Sequence, residues 1–153
     1  MTTYVDSSAL VPVYVTERFS AAARAAVQAA SQIPFTPLHH LEVRNAFELL
    51  VGRHLITRDE CRRLGDQLQE DLEAQRLMTS PLELDAVFMQ AEAFSRLHTA
   101  KFLSRSLDLL HVAAAHAIAC TTFVSGDDRQ LAVARATGLK TIDITRRAGR
   151  RRP

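Results

Sequence analysis

The chain has 153 residues, of which 47% are hydrophobic and 24% charged, the profile of one globular domain long enough to bury a core. No apolar run approaches the roughly 18 residues a membrane span needs, and Asp6 and Ser7 interrupt the N-terminus before a signal-peptide apolar region can form, so a cytoplasmic protein without membrane segments is expected. The net charge of +2 hides an asymmetry: five arginines (Arg146, Arg147, Arg150, Arg151 and Arg152) crowd the last eight residues, leaving 14 basic against 17 acidic residues elsewhere.

The expected organisation is therefore a mildly acidic domain over 1–145 and an Arg-rich tail over 146–153. The tail reads either as a solvated end or as an electrostatic arm for nucleic-acid phosphates or an acidic partner. Cys61 and Cys120 show no metal-ligand spacing and are expected as reduced, small core residues.

Along the chain, Tyr4-Val5 favours a strand that ends at Asp6, and Ser7-Ser8 opens a helix to Val15. Pro12 is tolerated near that helix's start. The Ala-rich segment Ser20–Ser31 predicts a helix, and Gln32–Pro37 a short strand confined to an edge by its two prolines. His39–His54 reads as a helix with Leu41, Phe47, Leu50 and Val51 as its apolar stripe and Glu42 and Asn45 together on a neighbouring face. Thr57 with Glu60 forms a capping box for a helix to about Gln75. Leu82-Glu83-Leu84 suggests a minor extended piece, and Asp85 the cap of a helix through His98 carrying Val87, Phe88, Ala91, Phe94 and Leu97. Ser106 is expected to cap the most informative helix, Leu107–Ala119, whose apolar and small residues suit close packing on a sheet and carry Asp108 to the interior rim. Thr121–Ser125 is the next strand, Gly126-Asp127-Asp128 a turn, Gln130–Thr137 a helix stopped by Gly138, and Lys140–Ile144 a last strand. This alternation predicts an α/β fold with a central parallel sheet of about four to five strands and helices on both faces.

Four acids stand out by context: Asp6 and Asp127 after strands, Asp108 at a helix start and Glu42 in the first turn of a helix. Each alone reads equally as a turn, cap or surface acid. Brought together, four carboxylates repel and take up protons unless a cation sits among them. An all-oxygen donor set without thiolates suits Mg²⁺ or Mn²⁺, and such a site can position a phosphodiester, activate a water and stabilise the leaving oxygen.

The segments Tyr4–Leu10, Leu41–Ala46, Ser104–Ala115 and Phe123–Leu131, with Gly138-Leu139 after them, resemble in order the PIN domain, in particular the single-domain VapC-type toxins of bacterial toxin–antitoxin pairs. The resemblance spans nearly the whole chain to about Ile144. It implies a Mg²⁺- or Mn²⁺-dependent endoribonuclease in which Asp6, Glu42, Asp108 and Asp127 form the acidic quartet and hold the metal. It also implies supporting roles for Ser7, Ser125 and Asn45, an RNA substrate, a small cognate antitoxin that occludes the pocket, and a homodimer. Gly126 departs from the pattern, where relatives more often carry a larger residue, which would loosen the Asp127 loop; Asp128 is a second acid beside it. The tail lies beyond the shared pattern.

His111, three residues after Asp108, is expected as a buried histidine bonded to a neighbouring element, and Tyr4 as core. A haloacid-dehalogenase-like phosphatase would need an Asp where Ser8 stands, and a receiver an acidic pair near the first strand and a Lys after the last; neither pattern is present. The alternative to a nuclease is a non-catalytic PIN-fold module binding RNA or protein, against which retention of all four acids argues.

Overall fold

The computed structural model describes residues 2–146. Of the tail arginines only Arg146 falls among them, its Nε 3.1 Å from Asp143 Oδ2; the rest of the predicted tail lies outside the described residues.

The chain runs β1 (Thr3–Val5), α1 (Ser7–Tyr14), α2 (Ser20–Ala29), β2 (Pro34–Phe35), α3 (Pro37–Gly52), α4 (Arg58–Glu73), β3 (Met78–Thr79) and α5 (Leu84–Phe94). A π-helical turn, Ser95–Thr99, then leads into the short α6 (Ala100–Phe102), followed by α7 (Ser106–Ala117), β4 (Thr122–Ser125), α8 (Asp128–Ala136) and β5 (Lys140–Asp143). The predicted parallel α/β arrangement is present. Its strands are divided: β1, β4 and β5 form a three-stranded parallel sheet in that order, and β2 and β3 a separate parallel pair. A bridge between Thr2 and Gln32 joins the two, with Thr3 N–H donating to Gln32 O at 3.0 Å. Pro34 has no N–H to continue a ladder with β1, which accounts for the break two residues later.

Strand alternation explains why both faces are covered. Val5 pairs with Val124 and Tyr4 with Phe123, so neighbouring residues turn to opposite sides. Tyr4 and Phe123 stack with centroids 5.3 Å apart in a core completed by α5, α7 and α8. Val5 and Val124 belong to the other core, with α1 to α4. A parallel sheet buried on both faces needs apolar residues at successive positions, as here. On α7, Leu109 through Ala115 are all buried, and the run of alanines brings this helix close to the sheet.

Several expectations are corrected. The extended piece falls on Met78–Thr79, not Leu82–Leu84, because those residues pair with Pro34 and Phe35. Leu84 already belongs to α5 and Glu83, not Asp85, precedes it as the cap. Ser106 is the first helical residue of α7 and Arg105 its cap. In α3 the inward face is carried by His39, Val43 and Phe47, while Leu41 is 67% exposed. Phe88 and Leu97 likewise point outward from a helix that buries Val87, Ala91 and Phe94. Apolar residues outnumber the places on one face, so composition alone does not say which are left in water.

Candidate functional site

Asp6 is the residue after β1, and its backbone N–H extends the sheet by donating to Val124 O at 3.0 Å. Its side chain caps α1: Oδ1 accepts from Ala9 N–H at 3.1 Å. Ser8 Oγ lies 2.9 Å from Oδ1 and 3.0 Å from Oδ2. The same Ser8 oxygen accepts from Gly126 N–H at 2.9 Å and sits 3.3 Å from Ser125 Oγ. Ser8 therefore fastens the end of β1 to the end of β4. Burial pushes the Asp6 carboxyl up to about 6, against the opposing pull of the His111 ring, Ser8 and the Ala9 amide.

Asp127 is presented by the turn after β4 as the cap of α8, its Oδ1 accepting from Arg129 N–H at 2.9 Å and Gln130 N–H at 3.2 Å. Ser125 supports this turn by accepting from Asp127 N–H and donating to Gln130 Oε1, both at 2.9 Å. Asp108, buried in the first turn of α7, accepts at Oδ2 from Arg105 N–H at 2.9 Å and from Arg105 Nε at 3.3 Å. Arg105 Nη2 continues to Asp127 Oδ2 at 2.9 Å. One guanidinium thus ties Asp108 to Asp127.

Glu42 is held differently. Tyr4 is fully buried, and burial first of all raises its hydroxyl well above the ordinary phenol range; its oxygen lies in hydrogen-bond contact with His111 Nδ1 at 2.7 Å. On its other side the ring's Nε2 donates to Glu42 Oε2. Burial would push Glu42 up, but the His111 hydrogen bond and charge outweigh it and hold the carboxyl below its usual range. His39 completes this wall. Its Nδ1 accepts from Thr36 N–H at 3.0 Å and its Nε2 donates to Val5 O at 2.9 Å, while burial lowers its pKa to about 3, leaving it neutral and structural. Glu42 also lines an open cavity of about 370 Å³ with Ser7, Ser8 and Asn45, walled by Val11, Pro12, Ala46 and Leu49.

The seven residues singled out from the sequence thus lie around the carboxyl end of the parallel sheet, where α/β folds bind ligands. They form linked groups: Asp6 with Ser125 through Ser8, Asp108 with Asp127 through Arg105, and Glu42 with Ser7 and Asn45 around the cavity. Ser8, not Ser7, bonds Asp6; the Ser7 hydroxyl is buried without a hydrogen bond. Ser8, Arg105 and the Glu42–His111 pairing escaped sequence reasoning. Only Arg105 had a local signal, an opposite charge three residues before Asp108 on a helix start.

Among the described residues no group of three His, Cys, Asp or Glu converges as it stands on a point that could hold a metal ion. The donor chemistry nevertheless fits a hard divalent cation: four carboxylates and no thiolate on one rim, one of them (Asp6) disfavoured in its charged form by burial and lacking a cationic hydrogen-bond partner. The acids that do have strong partners have His111 and Arg105 in the place of a cation.

The PIN domain family matches residues 3–136. No curated protein matches the chain. Among solved structures, FitAcB from Neisseria gonorrhoeae is similar with a TM-score of 0.66 at 13% identity, over 94% of this chain and 98% of that one. VapBC-5 from Mycobacterium tuberculosis, a member of the VapBC family of toxin–antitoxin systems, is similar with a TM-score of 0.58 at 18% identity, over 93% and 98%. At these identities the likeness is one of fold. Among the described residues, no helix is long and apolar enough to cross a membrane.

Proposed function

The chain belongs to the PIN-domain family, and from that premise we propose that it is a metal-dependent endoribonuclease, the toxin of a type II toxin–antitoxin pair. PIN domains are generally nucleases. The observation that carries the reading for this chain is the gathering of Asp6, Glu42, Asp108 and Asp127 from four elements onto one rim, each with a carboxylate oriented by its own hydrogen bonds.

Those four acids would hold Mg²⁺, with Mn²⁺ able to substitute. The ion supplies neutralisation of phosphate charge and a water of lowered pKa. The chain's own residues provide the frame. Ser8 holds Asp6 against the Gly126 turn, Ser125 and Gln130 brace that turn under Asp127, and His111 orients Glu42 from a ring anchored by Tyr4. Ser7 and Asn45 line the cavity beside Glu42, where RNA next to the scissile phosphate would lie. The likeness to VapBC-5, a member of a family of toxin–antitoxin systems, supports a small antitoxin as partner; a basic antitoxin side chain covering this rim and a homodimer as the working unit are part of the same proposal.

The test is cleavage of cellular RNA by the purified protein with and without Mg²⁺, with end mapping of the products. Wild type is expected to cut only with the ion, and Asp6→Asn, which removes charge and not volume, to lose cleavage while staying folded. Undiminished Mg²⁺-dependent cleavage by Asp6→Asn would sink the assignment.

A further inference from the structure

We propose that Arg105 is a resident counter-ion of the Asp108–Asp127 pair, competing with the divalent cation for these carboxylates and passing to an RNA phosphate once the cation is bound. The inference rests on the metal-dependent ribonuclease reading above and adds to it a residue, a competition and a point of substrate contact.

The three partners are unequally free to move. The Asp108 side chain is 8% exposed and the Asp127 side chain 25%, whereas the Arg105 side chain is 67% exposed. Asp127 keeps two backbone N–H donors on Oδ1 whatever Arg105 does. Asp108 keeps the Arg105 backbone N–H on Oδ2, because that amide is fixed by the start of α7 and not by the guanidinium. Arg105 can therefore swing into solvent while both carboxylates stay aimed as they are. The side chain is a removable part of the site; the acids are not.

Charge makes the removal necessary. A guanidinium 2.9 Å from Asp127 Oδ2 and 3.3 Å from Asp108 Oδ2 occupies the position from which an ion would bind the same oxygens. A divalent cation and a guanidinium cannot both make contact with one pair of carboxylate oxygens without repulsion at a few ångströms. The cost of displacing Arg105 is modest, since its side chain is largely in water already and the cation takes its place beside the buried Asp108 oxygen. Occupancy by Arg105 thus lowers metal affinity without abolishing it, and spares the metal-free protein an uncompensated acidic pair. Once displaced, the guanidinium stays tethered at the rim. Its planar fork matches two oxygens of a phosphodiester, where a Lys ammonium offers only a point charge.

The experiment measures Mn²⁺ affinity by calorimetry, and KM and kcat on RNA at saturating Mn²⁺, for wild type, Arg105→Ala, Arg105→Lys and Asp6→Asn. Arg105→Ala is expected to bind Mn²⁺ about 5- to 20-fold more tightly, the factor set by the two charge contacts of a guanidinium that is itself largely in water. Its KM for RNA should rise several-fold, with kcat changed less. Arg105→Lys should show intermediate metal affinity and a KM as high as that of the alanine variant. Mn²⁺ affinity of Arg105→Ala equal to or weaker than wild type overturns the competition. Tighter Mn²⁺ binding with unchanged KM overturns the transfer to phosphate. Loss of Mn²⁺ binding in Asp6→Asn alone, with Arg105→Ala like wild type, leaves the metal site standing and removes only the role of Arg105. No Mn²⁺ binding by wild type or Arg105→Ala overturns the metal reading and the inference together.

Discussion

Asp6→Asn is expected to make the metal-free protein more stable, although it disables the proposed chemistry. Burial pushes the Asp6 carboxyl up to about 6 in the folded chain, against about 3.9 for an unfolded aspartate. Between those values the native state holds a proton that the unfolded state has lost, so native stability falls as pH rises from about 4 to about 6 and is level above. The accumulated penalty is about 3 kcal/mol at neutral pH. Asn carries no charge and keeps an oxygen for the Ala9 N–H, but loses one of the two acceptors Ser8 now has, a cost of about 1 kcal/mol. The net gain is about 2 kcal/mol at pH 7.5, a rise in Tm of about 4–8 °C for a chain of this size. Thermal or urea unfolding in the presence of a chelator, at pH 7.5 and pH 4, measures it. At pH 4 the gain should disappear, because wild-type Asp6 is then protonated in the fold. A variant no more stable than wild type at pH 7.5, or equally stabilised at both pH values, would refute the reasoning that burial strains this carboxylate.

Two further substitutions test how the rim is built. Ser8→Ala removes a donor to both Asp6 oxygens and the acceptor of Gly126 N–H; a loss of about 2 kcal/mol in urea unfolding is expected, with the Asp6 carboxyl, followed by NMR, titrating at still higher pH. An unmoved titration would show that Ser8 does not support the charged form. Gly126→Ala tests the residue that departs from the family pattern. An added Cβ would stand 3.4 Å from Ile144 Cγ1 and 3.5 Å from Ser8 Oγ, ordinary contact distances, and the backbone there is not left-handed. The substitution should stabilise the protein by about 0.5–1 kcal/mol through the unfolded chain's lost freedom, and a destabilisation beyond 1 kcal/mol would mean that the turn needs glycine after all.

Interactions that close over three or four residues were legible in the chain itself. The Thr57–Glu60 capping box forms as its spacing requires, and Gly138, at φ +96°, ends α8 where an L-residue would be strained. Strand alternation, the all-apolar face of α7 and acids at the ends of elements are equally local, and together they specify a parallel α/β domain with carboxylates toward one edge. What needed tertiary structure is every contact between elements distant in sequence. Met78 and Thr79 become a strand only because Pro34 and Phe35 lie beside them. Of two adjacent serines, helix geometry turns Ser8 and not Ser7 to Asp6, a choice of about 100° per residue that composition does not encode. Glu42 is paired with His111, and Asp108 with Asp127, through residues whose partners lie 69 and 22 positions away. The sequence alone therefore determined which acids lie at this edge; their partners, and with them the form of the site before a cation arrives, were decided by packing, because charge is shared through space and not along the chain.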